Sequence, residues 1–213
     1  MSKTHVETIA CPRCGHENLF TAYDNLDAKS DPTAKNGLFD MTLFQFQCTS
    51  CGHSANVIYN MLYVDHDNHD MIYFVSEQDL KEATRMMDHS ETAFGFGTSS
   101  YRKRIVTDLN SLREKAIIFD CGLDDRVIEI VKSIYLTDAR KQFPDANIES
   151  AYFYMHEDQP MFEFVGDTPL TAAIDVSLYA FKFMQYGEKF ASKNNCGYVI
   201  NNDWVNIFLN KEA

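Results

Sequence analysis

Cys11-Pro12-Arg13-Cys14-Gly15-His16 and Cys48-Thr49-Ser50-Cys51-Gly52-His53 are two copies of one short pattern. Each Cys-x-x-Cys places two sulfurs on one tight turn. The glycine that follows permits a positive φ, which lets backbone amides turn toward the sulfurs. Thirty-three residues separate Cys14 from Cys48, enough chain to leave one hairpin, form a short helix and return in a second hairpin. Four thiolates so placed make a closed tetrahedral site, and zinc is the expected occupant. Such a site leaves no position for water or substrate and suits a structural role. Iron has the same four-thiolate chemistry and is the less favoured alternative. A redox dithiol needs only one such pair and a βαβ context that the flanking sequence lacks.

Outward from the cysteines, the pattern reads as strands at 6–10 and 17–24 flanking the first pair, and at 43–47 and 55–59 flanking the second. Asp31-Pro32 is an N-cap followed by proline at the first helical position, which starts a helix that Gly37 can end. A further hairpin follows at 61–65 and 70–75, then a helix over 77–88. Gly95, Gly97 and the serines at 99 and 100 suggest a linker. The organisation expected is a zinc-ribbon-like antiparallel β domain over 1–91, a linker over 92–100 and a mixed α+β domain over 101–213. The later part opens with a strand at 104–106 and a helix ending near Gly122. A second helix is capped by Asp124, and a hairpin follows at 151–154 and 161–165. A strand at 170–176 and helices at 177–192 and 202–210 complete an α+β chain with no βαβ repeat.

Composition narrows the function. The 213 residues carry a net charge of −12, with 6 basic and 14 acidic side chains in residues 1–100. Phosphate binding needs a basic face, so nucleic acid is a disfavoured partner and a basic protein a favoured one. The local exception, Arg102-Lys103-Arg104, reads as a solvated strand edge. No apolar run is long enough to span a bilayer and no secretory signal opens the chain, so a cytoplasmic protein is expected. Cys121 and Cys196 read as small buried hydrophobes.

His16 and His53 follow the cysteine pairs and read as exposed tips or outer hydrogen-bond donors. Asp65, His66, Asp67, His69 and Asp70 are the densest set of other metal ligands, although a hairpin turn collects such residues anyway. Asp124-Asp125-Arg126, Glu129 and Lys132 read as a helix cap with surface ion pairs, or alternatively as an acidic active site built on Asp125 and Glu129. Trp204 with Phe208 reads as a packing anchor.

The chain resembles the CpXC proteins, a family named for paired Cys-Pro-x-Cys motifs. The resemblance is carried by Ile9-Ala10-Cys11-Pro12-Arg13-Cys14-Gly15-His16, by Cys48 and Cys51, and by Leu62-Tyr63-Val64-Asp65 with Met71-Ile72-Tyr73. It continues through Tyr101–Val106, Leu112-Arg113-Glu114-Lys115 and Asp124–Glu129. It implies the four-cysteine site and assigns no activity. The second motif has Thr49 where the family would usually have proline, a change that removes no ligand. The expected function is therefore a zinc-stabilised partner-binding or adaptor module. The alternative is an enzyme with an acidic site in the second half or at the domain junction, and a nucleic-acid binder using Arg102, Lys103 and Arg104 ranks third.

Overall fold

A computed structural model describes residues 1–191 and 196–212. The chain forms two compact units, Met1–Arg113 and Glu114–Ala213.

In the first unit, β1 (Lys3–Ala10) and β2 (Glu17–Asp27) form the hairpin that carries the first cysteine pair. β2 alternates, with Asn18, Phe20 and Ala22 turned inward. β1 is largely exposed and carries Lys3, His5 and Glu7, the polar character that protects an edge strand from further pairing. α1 (Pro32–Phe39) begins where Asp31 accepts a hydrogen bond from the Ala34 amide. It continues through Gly37 to Phe39. β3 (Gln45–Gln47) and β4 (Ser54–Asn56) then form a separate two-stranded sheet bearing the second cysteine pair. β5 (Met61–Asp65) and β6 (Asp70–Phe74) follow, with side chains buried on both faces apart from half-buried Tyr73. α2 (Leu80–Asp88) and α3 (Ser90–Phe94) lead to β7 (Arg102–Val106).

The main sheet has the order β1-β2-β5-β6-β7. It is mixed: β2 pairs with β5, and β6 with β7, in parallel, while β1–β2 and β5–β6 are antiparallel. The first domain, expected to be antiparallel, thus also contains parallel pairing. Each hairpin was legible locally, but a parallel pair is joined through a long crossover, which no local pattern announces. The division into two compact units falls within α4 (Leu109–Asp120). β7 hydrogen-bonds along the whole of β6, and that pairing keeps residues 102–106 in the first unit.

In the second unit, Asp124 caps α5 (Asp125–Gln142). An antiparallel sheet of order β10-β9-β8 follows, built from β8 (Ile148–His156), β9 (Gln159–Gly166) and β10 (Leu170–Ala173). β10 stops short of 176 because Asp175 accepts from the Ser177 amide and opens α6 (Val176–Tyr186). The helix expected over 177–192 ends at Tyr186, and its last residue, Ser192, lies outside the described residues. α7 (Asn202–Glu212) stacks Trp204 on Phe208 at 5.1 Å between ring centres, against Phe190 and Tyr186. Trp204 is thus a packing anchor.

Candidate metal centre

The two cysteine turns are built alike. The Cys11 amide donates to the His16 carbonyl at 2.9 Å and the Gly15 amide to the Cys11 carbonyl at 2.8 Å. The second turn repeats this with Cys48 to His53 at 2.8 Å and Gly52 to Cys48 at 2.9 Å. Gly15 and Gly52 sit at φ 72° and 70°, a left-handed conformation that glycine adopts without Cβ strain.

Together the turns bring the Sγ atoms of Cys11, Cys14, Cys48 and Cys51 within 4.8 Å of one another. Cys11–Cys51 and Cys14–Cys48 are each 3.7 Å apart. A disulfide needs about 2.0 Å. A tetrahedron of sulfurs about 2.3 Å from one ion places them roughly 3.8 Å apart, so the donor set fits a four-thiolate metal site. Each turn contributes one buried sulfur, Cys11 and Cys48 at 2% exposure, and one nearer the surface, Cys14 and Cys51. The buried pair joins Phe20, Ala22 and Phe46 in one apolar cluster, which ties the sulfurs to both hairpins.

The thiols also bear the stamp of this geometry. Burial opposes ionisation of Cys48, but the backbone amides of Cys51 and Ser50 and the thiols of Cys11 and Cys14 bring it down to about 6. Cys51 moves to about 11: the His53 backbone favours its thiolate, and burial with the other three sulfurs opposes it more strongly. The cluster thus favours ionisation of Cys48 and opposes that of Cys51.

The other candidate ligands lie outside the sulfur cluster. The carbonyls of His16 and His53 close the turns, and neither histidine belongs to the convergent group of donors. Asp65 accepts from the Asp67 and Asn68 amides at 3.0 Å and from the Asn68 side chain, which organises its own turn. His66 meets the Tyr101 hydroxyl at 2.7 Å, and His69 packs its ring on Tyr101 at a positive φ of 57°. Among the described residues, the cysteines are the one group of three or more His, Cys, Asp or Glu side chains close enough to share an ion.

The basic triplet is not a solvated edge. Arg102 makes a two-pronged pair with buried Asp70 at 2.8 and 3.1 Å, Lys103 donates to Ser90 Oγ at 2.7 Å, and Arg104 is 0% exposed. The two remaining cysteines also differ from expectation: Cys121 is exposed in the turn after α4, and Cys196 is half-exposed.

The larger correction lies in α5. Asp124 does cap the helix, accepting from the Arg126 amide at 2.9 Å, but the charges beyond it are buried rather than on the surface. Lys115 lies 3.2 Å from Asp125 and 2.9 Å from Glu129. Lys132 donates to Glu129 and to both oxygens of Glu114, and Glu114 also accepts from the Phe153 amide at 2.6 Å. Burial opposes the charge on Lys132, yet Glu114 and Glu129 hold it above its ordinary value. Burial likewise opposes the charge on Glu129, and Lys115 and Lys132 hold it below the usual carboxylate range. Glu114 is raised by burial and by Glu129, which outweigh the lysines. Sequence reasoning missed Glu114 and Lys115 as partners, since α4 offers no signal beyond two charges among Leu112, Ala116, Ile117 and Ile118. Asn18 was missed as well. Its inward position in the alternation of β2, beside Phe20 and Ala22, was the available clue.

A family model described as CpXC protein matches residues 9–132. The match spans all four cysteines and all five members of the buried charge network. No curated protein and no solved structure matches the chain.

Proposed function

The chain belongs to the CpXC protein family, and on that premise we propose that it is a cytoplasmic, zinc-stabilised protein that serves as a binding module for a protein partner. The observation that carries the metal half is the sulfur geometry, four Sγ atoms within 4.8 Å on two matched turns. Cys11, Cys14, Cys48 and Cys51 would hold the ion. Saturated by four sulfurs, zinc would supply a cross-link between two hairpins rather than a reactive centre.

Support for partner binding comes from α6, where Val176, Phe181, Phe183 and Met184 are 47–76% exposed. Large apolar side chains gathered on one helix are the usual mark of an interaction surface. The net charge of −12 favours a basic partner. No helix among the described residues is long and apolar enough to cross a membrane. The carboxylates nominated for catalysis, Asp125 and Glu129, are at most 2% exposed and bound to lysines, which suits a structural network better than a substrate site.

Elemental analysis of protein purified without added metal tests the first half: about one zinc per chain is expected, and less than half an equivalent of zinc or iron in reduced, folded protein refutes it. A colourless protein separates zinc from iron. For the second half, Phe181→Ser/Met184→Ser should abolish recovery of a stoichiometric partner that the unaltered chain retains. Equal recovery by both would remove α6 as the contact.

A further inference from the structure

The two cysteine turns belong to different sheets, and one side chain of the first hairpin makes hydrogen bonds to both. Asn18, on β2 and 7% exposed, donates from Nδ2 to its own turn at the His16 carbonyl, 2.9 Å, and to Cys48 Sγ, 3.7 Å. Its Oδ1 accepts from the Thr49 amide and from Thr49 Oγ1, both at 2.9 Å. A carboxamide has two donor hydrogens and two acceptor lone pairs, so its capacity is fully used. The orientation of the amide follows from its partners. The His16 carbonyl can only accept and the Thr49 amide can only donate, so rotation by 180° would set like against like at both ends.

The same contacts account for the departure from Cys-Pro-x-Cys at Thr49. Pro12, at the matching place in the first turn, has no N–H to offer. The position on β4 that corresponds to Asn18, four residues after the second cysteine of its pair, is Ala55, which has no side-chain acceptor. Proline is thus matched with alanine in one half of the site and threonine with asparagine in the other. The substitution at Thr49 comes with its own partner.

We infer that Asn18 is a positioning residue of the sulfur site, joining the second turn to the first and placing an N–H on the Cys48 thiolate. The inference rests on the metal reading above. A hydrogen bond to a thiolate withdraws charge from sulfur, stabilising its lone pairs and slowing protonation and departure from the ion. Loss of such an outer partner costs about 10- to 100-fold in metal affinity.

The test loads the full-length chain with one equivalent of Co2+ and follows both the thiolate-to-cobalt charge-transfer band and metal release to excess chelator. Asn18→Asp keeps the bonds to Thr49 but turns an oxygen toward Cys48, and Asn18→Ala removes the amide without adding charge. Both should move the band to longer wavelength and speed release by about 10-fold or more. Thr49→Val, which loses only the hydroxyl, should leave the band in place and change release by less than about threefold. Thr49→Pro strips both donors from Oδ1, so it should speed release in the unaltered chain and much less in the Asn18→Ala background. A band and release rate unchanged in Asn18→Asp and Asn18→Ala overturn the role of Asn18 and leave the metal site standing. Failure of the unaltered chain to take up cobalt or zinc overturns the metal reading and this inference with it.

Discussion

The sulfur site of the first unit and the ion network of the second both gather mutually repelling groups, and they do it by opposite means. Near the surface, four thiols on two short turns, two of them buried, need a cation to hold them together once ionised. Inside the second unit, three carboxylates and two ammonium groups, each at most 6% exposed, neutralise one another. On the proposed reading the first arrangement would draw its stability from a bound metal, whereas the second offsets its own desolvation with its own pairs. A metal site should therefore respond to chelators and the network to loss of a single charge.

The largest effect expected is on the sulfur site. Structural zinc contributes on the order of 10 kcal/mol to folding, so Cys48→Ser or chelation should remove amide-exchange protection from β1–β4. Trp204, the single tryptophan, lies in the second unit and reports on it separately by fluorescence. Unchanged emission during chelation would sharpen the contrast, and simultaneous loss of both signals would break it.

Next in size is Lys132→Met, which leaves Glu114 and Glu129 buried with one cation fewer. Loss of about 3–5 kcal/mol is expected in urea unfolding followed at Trp204. A loss below about 1 kcal/mol would mean that water or rearrangement already compensates the network.

A smaller effect is expected with pH. Lys132 lies above its ordinary 10.5, so its contribution is intact below that pH and disappears as pH rises through the folded value. Glu129 lies below its ordinary 4.5, so its contribution is intact above that pH and disappears as pH falls through the lower folded value. Glu114, raised by burial, acts in the opposite sense, and acidification relieves its penalty. The difference in urea midpoint between the unaltered chain and Lys132→Met should hold steady from about pH 5 to 10 and shrink above it. The smallest effect belongs to Phe181→Ser/Met184→Ser, which should change stability by less than about 0.5 kcal/mol while removing an exposed apolar contact.

How legible each region was follows from where its information lies. Cysteine spacing is local, and a glycine one residue on needs no tertiary knowledge, so the four convergent cysteines could be named in advance. The Asp31 and Asp124 caps were equally local. The ion network was misplaced on the surface because charges at helical spacing are ordinarily solvated, and its decisive partners, Glu114 and Lys115, stand 10 to 18 residues from those they bind. The basic triplet failed for the same reason. Asp70 lies 32 residues before Arg102, and only the parallel register of β6 with β7 sets them side by side.

By itself, the amino-acid sequence determined the two matched turns, the α+β character, the caps and the identity of four convergent sulfurs, because each depends on φ preference, periodicity or spacing within a few residues. Tertiary structure alone decided that the sheet is mixed, that the charges of α4 and α5 are interior, and that Asn18 spans the two turns. Those outcomes depend on which distant strands and helices share a register, and chain connectivity leaves that open until the elements pack.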